Sequence, residues 1–548
     1  MNTILINKGL WSGVLLLTSW SATAQQRKDT TIAAQTIEII QSYKPEIAKP
    51  IKPVITPTLP YVDTSKPKFQ YEVPQQTLDF TYNSVPIKPL AMGKMPTETS
   101  FQNYVKAAYG NLNTLNIDAG VGSLNGANYE SAFHFSHLSQ KGSIVNQQSS
   151  LTDFDAKGKY FMEGHAIGAS VGVLRNAYRY YGYDHSLFSY DNKDIKQVFT
   201  GAQVSVSAEN TTSNSWGINY QPSVHFGMYN DKYDAKEKSF GFNAPFQYHI
   251  DSSVLLSLGV QGNFNQYKKD STSIANNVIQ LSPALDFSVS NFKFHISARP
   301  TWGKQSIFYV LPDISIKTAT ANNHLSIVGG WRADLLQNTF QQLSTKNPYL
   351  WKLNTMQQTK SDQVYAGFES ALGSHISFGG TVSWRQWKHA AIFVNDYWTS
   401  MDSKNFQVIY DDKIQALSLD AFIRYQIGNT FGLSAFGVWN NFYKTTTLDK
   451  AFHEPMMRLG GNLYARPVKD WVINVNAEFW DGIYTLQSTG DAKKLSPLFD
   501  LSMSTEYNII PRLSILLQAN NILGVKYERW NQYQAYGFNI MGGLRFKF

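Results

Sequence analysis

The chain ends in YGFNIMGGLRFKF, Tyr536–Phe548. Counting back by twos from Phe548 gives Phe546, Leu544, Gly542, Ile540, Phe538 and Tyr536, while Lys547, Arg545, Gly543, Met541 and Asn539 fall between them. A period of two marks a strand with one apolar and one polar face. Chain ends fray in water, so a terminal strand of this kind needs a cover for its apolar side. A strand that stays amphipathic to its last residue is expected where lipid supplies that cover and the first strand of a closed sheet pairs with its free edge.

The same alternation recurs upstream. Val254, Leu256, Leu258, Val260 and Phe264 oppose Ser257, Gln261, Asn263 and Asn265. Leu417, Leu419, Ala421, Ile423 and Tyr425 oppose Ser418, Asp420, Arg424 and Gln426, and Trp471, Ile473, Val475, Ala477 and Phe479 oppose Asn474, Asn476 and Glu478. Segments of about 10–15 residues suit strands crossing a bilayer at a tilt. Short spacers near Asp251, Ser374, Asn429, Lys469 and Pro511 alternate with long ones after Tyr180 and from Gln337 to Asp362. Short turns at one end and long loops at the other are the layout of an outer-membrane barrel whose turns and termini face the periplasm, and the segment count is about 22 strands. No repeat of fixed period points to a propeller or solenoid. The fold class expected is all-β, a large antiparallel transmembrane barrel over 100–548.

Composition agrees. Mean hydropathy is −0.29, and beyond Trp20 no apolar run reaches the ~20 residues of a spanning helix. Aromatic residues nevertheless make up 14% of the 548 residues, with 31 Tyr and 33 Phe, as expected where rings form belts at two membrane interfaces. The chain has no cysteine, so stability must come from burial and backbone pairing. Its net charge of +8 is spread along the chain, which argues for contact with anionic lipid, lipopolysaccharide included, and against nucleic acid.

Residues 1–24 combine Lys8, an apolar core from Leu10 to Trp20 and Ala22-Thr23-Ala24, the pattern of a secretory signal peptide. Residues 25–99 are rich in proline and lysine, which denies them helix and interior strand and leaves an extended segment reaching roughly 3.1 Å per residue. Such a segment is expected to be a passive periplasmic leader, a handle for a periplasmic or outer-membrane partner protein, or an extended piece threaded into the barrel mouth.

The terminal aromatic resembles the C-terminal signal that outer-membrane barrels present for insertion. The run LLQANNILGVKYERWNQYQAYGFNIMGGLRFKF from Leu516 resembles the closing hairpin of TonB-dependent receptors. That resemblance implies a barrel of about 22 strands. It also implies an N-terminal plug and a TonB box, neither of which 25–99 matches, being about half the length of a plug and without its periodicity. The expectation is a plugless relative without energy-coupled uptake. A barrel this wide encloses a lumen its own wall cannot fill, so the leader, a long loop such as Gln337–Asp362, or a partner should occupy it.

No catalytic, cofactor or metal site is expected. His134, His225, His249 and His295 fall within strand segments, and His134 and His137, three apart, point to opposite faces. Asp231, Asp234, Asp411 and Asp412 read as solvated loop charge without the spacing of a calcium loop. A hydrolase on the barrel wall would need a Ser, a His and an orienting group in register on neighbouring strands, and the sequence gives no positive signal for such a set. Tyr178, Tyr180, Tyr181 and Tyr183, and Trp384, Trp387 and Trp398, read as a lipid-interface girdle, with sugar stacking as the alternative. The functions expected are a channel for small solutes or, alternatively, a structural or accessory subunit of an outer-membrane assembly, secretion or surface-export complex; an enzyme is not expected.

Overall fold

The structure, a computed structural model, describes residues 103–548 apart from Ser123, Asn125, Ala127, Ser213 and 320–324. The expected signal peptide and the proline-rich segment lie outside the described residues. Among the described residues one sheet holds 24 strands. Two of them, Ile218–Tyr220 and Thr272–Ala275, are short additions at the ends of longer neighbours, and the remaining 22 form a closed antiparallel wall. The first strand, Tyr104–Gly110, pairs with the last, Asn539–Lys547, in a register running from Tyr104↔Lys547 to Gly110↔Met541. On its other side the last strand pairs with Leu513–Asn520. Both of its edges are therefore bonded.

The last strand also divides its side chains as the alternation requires. Ile540, Leu544 and Phe546 are exposed on the outside, while Asn539, Met541, Arg545 and Lys547 are buried within. Phe548 stacks on Phe546 with ring centroids 6.0 Å apart. The alternation stops at Phe538, however. Tyr536 precedes the strand and is fully buried, its hydroxyl 3.1 Å from Ser149 Oγ.

All the way round, outward positions carry the apolar residues: Val171 and Val173, Val204 and Val206, Val224 and Phe226, Ile314 and Ile316, Leu417 and Leu419 are all exposed. On a water-soluble protein so continuous an apolar surface would drive association; on a closed barrel it is the face that lipid covers. The inner wall is polar and charged. Near the seam, Arg545 and Lys547 pair with Glu506, and His134 Nε2 lies 3.3 Å from Asp118. Elsewhere His295 meets Asp286 at 2.7 Å and Asp313 at 3.9 Å, while Arg299 and Arg332 share Asp334 at 2.9 and 2.7 Å. His137 faces away from His134, 2.9 Å from Thr152 Oγ1, as the strand period requires.

Short spacers such as 250–253, 373–375, 428–430 and 511–512 lie at one end, and the long ones, 180–195, 337–358, 389–413, 445–456, 482–497 and 521–538, at the other, where short turns such as 111–113 and 232–235 also occur. The girdle holds in part. Trp384 and Tyr443 lie on the outer face, the indole N–H donating to the Tyr443 hydroxyl at 2.8 Å. Trp387 instead packs against Phe442 and the loops above it, and Trp398 sits on an exposed loop. Placing an Arg at the lipid-facing Val171, midway along its strand, should cost about 2–4 kcal/mol. Urea unfolding in lipid vesicles would read this as a lowered midpoint for Val171→Arg, with Val171→Leu unchanged.

Candidate functional site: the closed outer mouth

The tyrosines expected in the girdle are not there. Tyr178, Tyr180, Tyr181 and Tyr183 are all buried, within an aromatic core formed by the long loops over the barrel mouth. The reason is parity and position. Tyr178 occupies an inward position of its strand, and the three that follow lie in a loop that folds across the opening rather than along the rim. With Tyr349 and Tyr533 they form a contact set in which Tyr349 stacks on Tyr533 and Tyr181 meets Tyr533 edge-on at 5.0 Å. Burial pushes the phenols of Tyr180, Tyr181, Tyr349 and Tyr533 well above their ordinary value. Three of these phenols act as protonated donors: Tyr180 to Leu350 O at 3.3 Å, Tyr181 to Gln534 O at 2.7 Å and Tyr533 to Lys404 O at 2.5 Å. Each bond joins a different pair of loops.

The loop 337–358 is the centre of this lid. It begins with a helix, Phe340–Lys346, whose start is written in the sequence: Thr339 caps Gln342 N, and the Gln342 side chain returns to Thr339 N at 3.1 Å. This is a capping box. A seven-residue helix is not stable by itself, so the barrel wall holds it. The buried Glu237 carboxylate, from the strand Lys236–His249, accepts from Phe340 N at 2.6 Å and Gln341 N at 3.2 Å. Phe340 fits among the inward-facing wall rings Phe199, Tyr229 and Tyr267.

From there the loop crosses the mouth. Trp351 N donates to Phe406 O and Phe406 N to Tyr349 O, at 3.0 and 2.9 Å. Lys269 on one wall donates to Trp351 O at 3.0 Å, and Lys346 on the helix pairs with Glu454 from another loop. The mouth is spanned rather than fringed.

Two further fastenings were not foreseen. Asp411, expected to be solvated loop charge, is fully buried. It ends a loop hairpin of Ala390–Asn395 and Phe406–Asp411, and its carboxylate accepts from the backbone N–H groups of Lys413, Thr446, Thr447 and Leu448 at 2.9–3.1 Å. Three of these four donors lie over thirty residues away in sequence, so no local pattern announces them. Asp231 is likewise buried, accepting from Tyr233 N and Ala235 N at 2.8 Å, whereas Asp234 and Asp412 are exposed as expected.

The second fastening is His453, buried between the rings of Phe406 and Trp530. Its Nδ1 donates to Phe393 O at 3.0 Å and its Nε2 accepts from Asn531 N at 3.4 Å, an arrangement only the neutral ring can make. Arg529 donates to His453 O and lies over Trp480 and Trp530. Burial, then the Arg529 charge, holds the His453 pKa down to about 3. Among the described residues no group of three or more His, Asp or Glu could hold a metal ion.

The sequence matches no protein-family model and no curated protein. Solved structures do match. An iron transporter of Neisseria meningitidis, FrpB (F3-3 variant), has a TM-score of 0.64 at 12% identity, over 81% of each chain. The siderophore receptor PirA of Acinetobacter baumannii gives 0.63 at 8% identity, over 81% of this chain and 80% of that one. A mutant of the ferric enterobactin receptor PfeA of Pseudomonas aeruginosa gives 0.63 at 10% identity with the same coverage. At such identities the likeness is one of fold. That shared fold is a large closed antiparallel barrel, and with its lipid-facing belt it makes this chain an integral outer-membrane protein.

Two measurements test the fastenings. Asp411→Ala leaves four backbone donors without their acceptor and should lower local lid stability by about 2–3 kcal/mol, read as faster hydrogen exchange over 445–456 with the barrel strands unchanged. An unfolded loop binds a proton at His453 below about pH 6.5, whereas the closed lid resists it down to about 3, so the open form binds more protons in that window. Lid closure is therefore complete above about 6.5 and weakens as pH falls towards about 3. Lid proteolysis should rise between pH 7 and 4.5, and His453→Gln should flatten that rise.

Proposed function

We propose that this protein is a gated conduit for small solutes across the outer membrane, with the interlocked loops as its outer gate and the polar, charged lumen wall as its path. The observation that supports this most is the pairing of the two. The lid is a folded aromatic unit fixed to the rim by a few polar clips, and below it the wall presents ion pairs such as Arg299 with Asp334 and His295 with Asp286. Charged walls serve passage of polar species, since a lumen meant only to be filled is more cheaply lined with apolar side chains. The likeness to barrels titled as iron transporters and siderophore receptors supports transport as the class. The reading includes the absence of a folded plug, which rests on the short, proline-rich composition of 25–99.

Conductance in planar bilayers tests it with three proteins: the full chain, a variant in which 341–355 is replaced by a Gly-Ser linker, and one lacking Lys28–Thr99. The full chain should be nearly silent and the lid variant should conduct steadily, while loss of Lys28–Thr99 alone should change little. Conductance appearing only when Lys28–Thr99 is removed would make that segment the plug and end the present reading. Silence in all three, and in the combined variant, would refute a conduit altogether.

A further inference from the structure

The outer wall carries a second, unrelated feature just below the rim. The strands Tyr129–Lys141, Gln148–Met162, His165–Arg179 and Lys196–Asn210 lie side by side, and their registers set four rows on the lipid-facing side. The lowest row is Phe135, Phe154, Val173 and Ala202, apolar, with its three larger side chains exposed. Two residues higher come His137, Thr152, Arg175 and Thr200, and then Ser139, Ser150, Ala177 and Val198. The top row sets Lys141 opposite Gln148 and Arg179 opposite Lys196. Because side chains on one face recur every second residue, all four rows face outward with the lipid-exposed Phe135 and Phe154.

The third row explains the shape. Serine and alanine are too short to fill the surface between Arg175 below and the basic row above, and a recess of ≈ 350 Å³ remains. Lys141, Arg175, Arg179 and Lys196 all line it, with Ser139 and Ser150, and among the described residues no carboxylate does. Among the described residues none of the four cations forms an ion pair with a carboxylate; Arg179 spends its N–H groups on Asn192 Oδ1 and Tyr178 O, at 2.8 and 3.1 Å. Four like charges around one dent repel unless an anion joins them. The dent lies near the loop-side ends of these strands, directly above the exposed apolar strip of Phe135, Phe154 and Val173.

We propose that this recess binds the phosphate groups of an outer-leaflet glycolipid, with Arg175, Arg179, Lys141 and Lys196 around the phosphates, Ser139 and Ser150 donating to their oxygens, and the acyl chains lying along Phe135, Phe154 and Val173. Phosphate accepts charge-assisted bonds from guanidinium and ammonium groups together, and a basic cluster at the surface combined with an apolar contact below it is the two-part anchor that lipid binding needs. The site is independent of the lid and of what passes through the lumen.

The test is retention of diphosphoryl lipid A by the purified full chain in detergent, measured by native mass spectrometry. Arg175→Gln with Lys196→Gln should weaken binding about 30-fold, two cations at about fivefold each. Lys196→Gln alone should give an intermediate loss. Heat-modifiable gel mobility confirms that each variant is folded, and a Ser150→Leu variant, which fills the recess without changing its charge, should also lose the lipid. Dephosphorylated lipid A should bind the parent no better than it binds the double variant. Equal binding of the two lipids, unchanged binding by the variants, or displacement of the lipid by low concentrations of inorganic phosphate would each overturn the proposal.

Discussion

A backbone N–H or C=O inside a bilayer finds no water, so each must be bonded within the chain. For a sheet this leaves one solution, which is closure. The seven-residue pairing of Tyr104–Gly110 with Asn539–Lys547 is the step on which everything else depends. It joins segments more than four hundred residues apart, and with it made no edge of the described wall strands remains open to lipid. Asn111 and Asn539 reinforce the top of this seam, the Asn539 amide donating to Asn111 Oδ1 at 2.9 Å and to Thr114 Oγ1 at 2.8 Å.

Closure creates the next problem. A wall of this size surrounds a space that its own side chains do not reach across, and an open hole would short-circuit the membrane. The loops answer by doing what a soluble domain does. They gather an aromatic core, hold a short helix on the wall with Glu237, and satisfy buried polar groups with Asp411 and His453. The lid is thus a small globular unit built from long insertions of separate hairpins, and the barrel rim is its scaffold. Its weak points are polar clips rather than apolar contacts, because a lost clip leaves buried donors unsatisfied while the rings remain in place.

The strands were legible because each is governed by a local rule. Two environments, lipid and lumen, lie on opposite sides of every strand, so period two is imposed residue by residue, as in Val254–Lys269 and Trp471–Asp481. Spacer lengths fixed the polarity of the barrel by the same local logic. The lid was not legible. Tyr180 and Tyr181 carry the same composition whether they face lipid headgroups or the centre of the mouth, and only the direction in which their loop folds decides between them. The capping box at Thr339 and Gln342 was a readable sign that a helix begins inside a long loop, but what the helix rests on was not.

The sequence by itself determined a closed antiparallel barrel, its approximate strand number, which side of each strand meets lipid, and a last strand amphipathic to its final residue, because these follow from alternation and length. Tertiary structure alone decided that the mouth is shut, that Asp411 and Asp231 are buried acceptors rather than solvated charges, and that four basic residues from three strands surround one recess. The physical reason is range. Alternation is set by a residue's nearest neighbours, whereas a lid clip or a cluster depends on the registers and loop paths that bring distant residues within a few ångströms of one another.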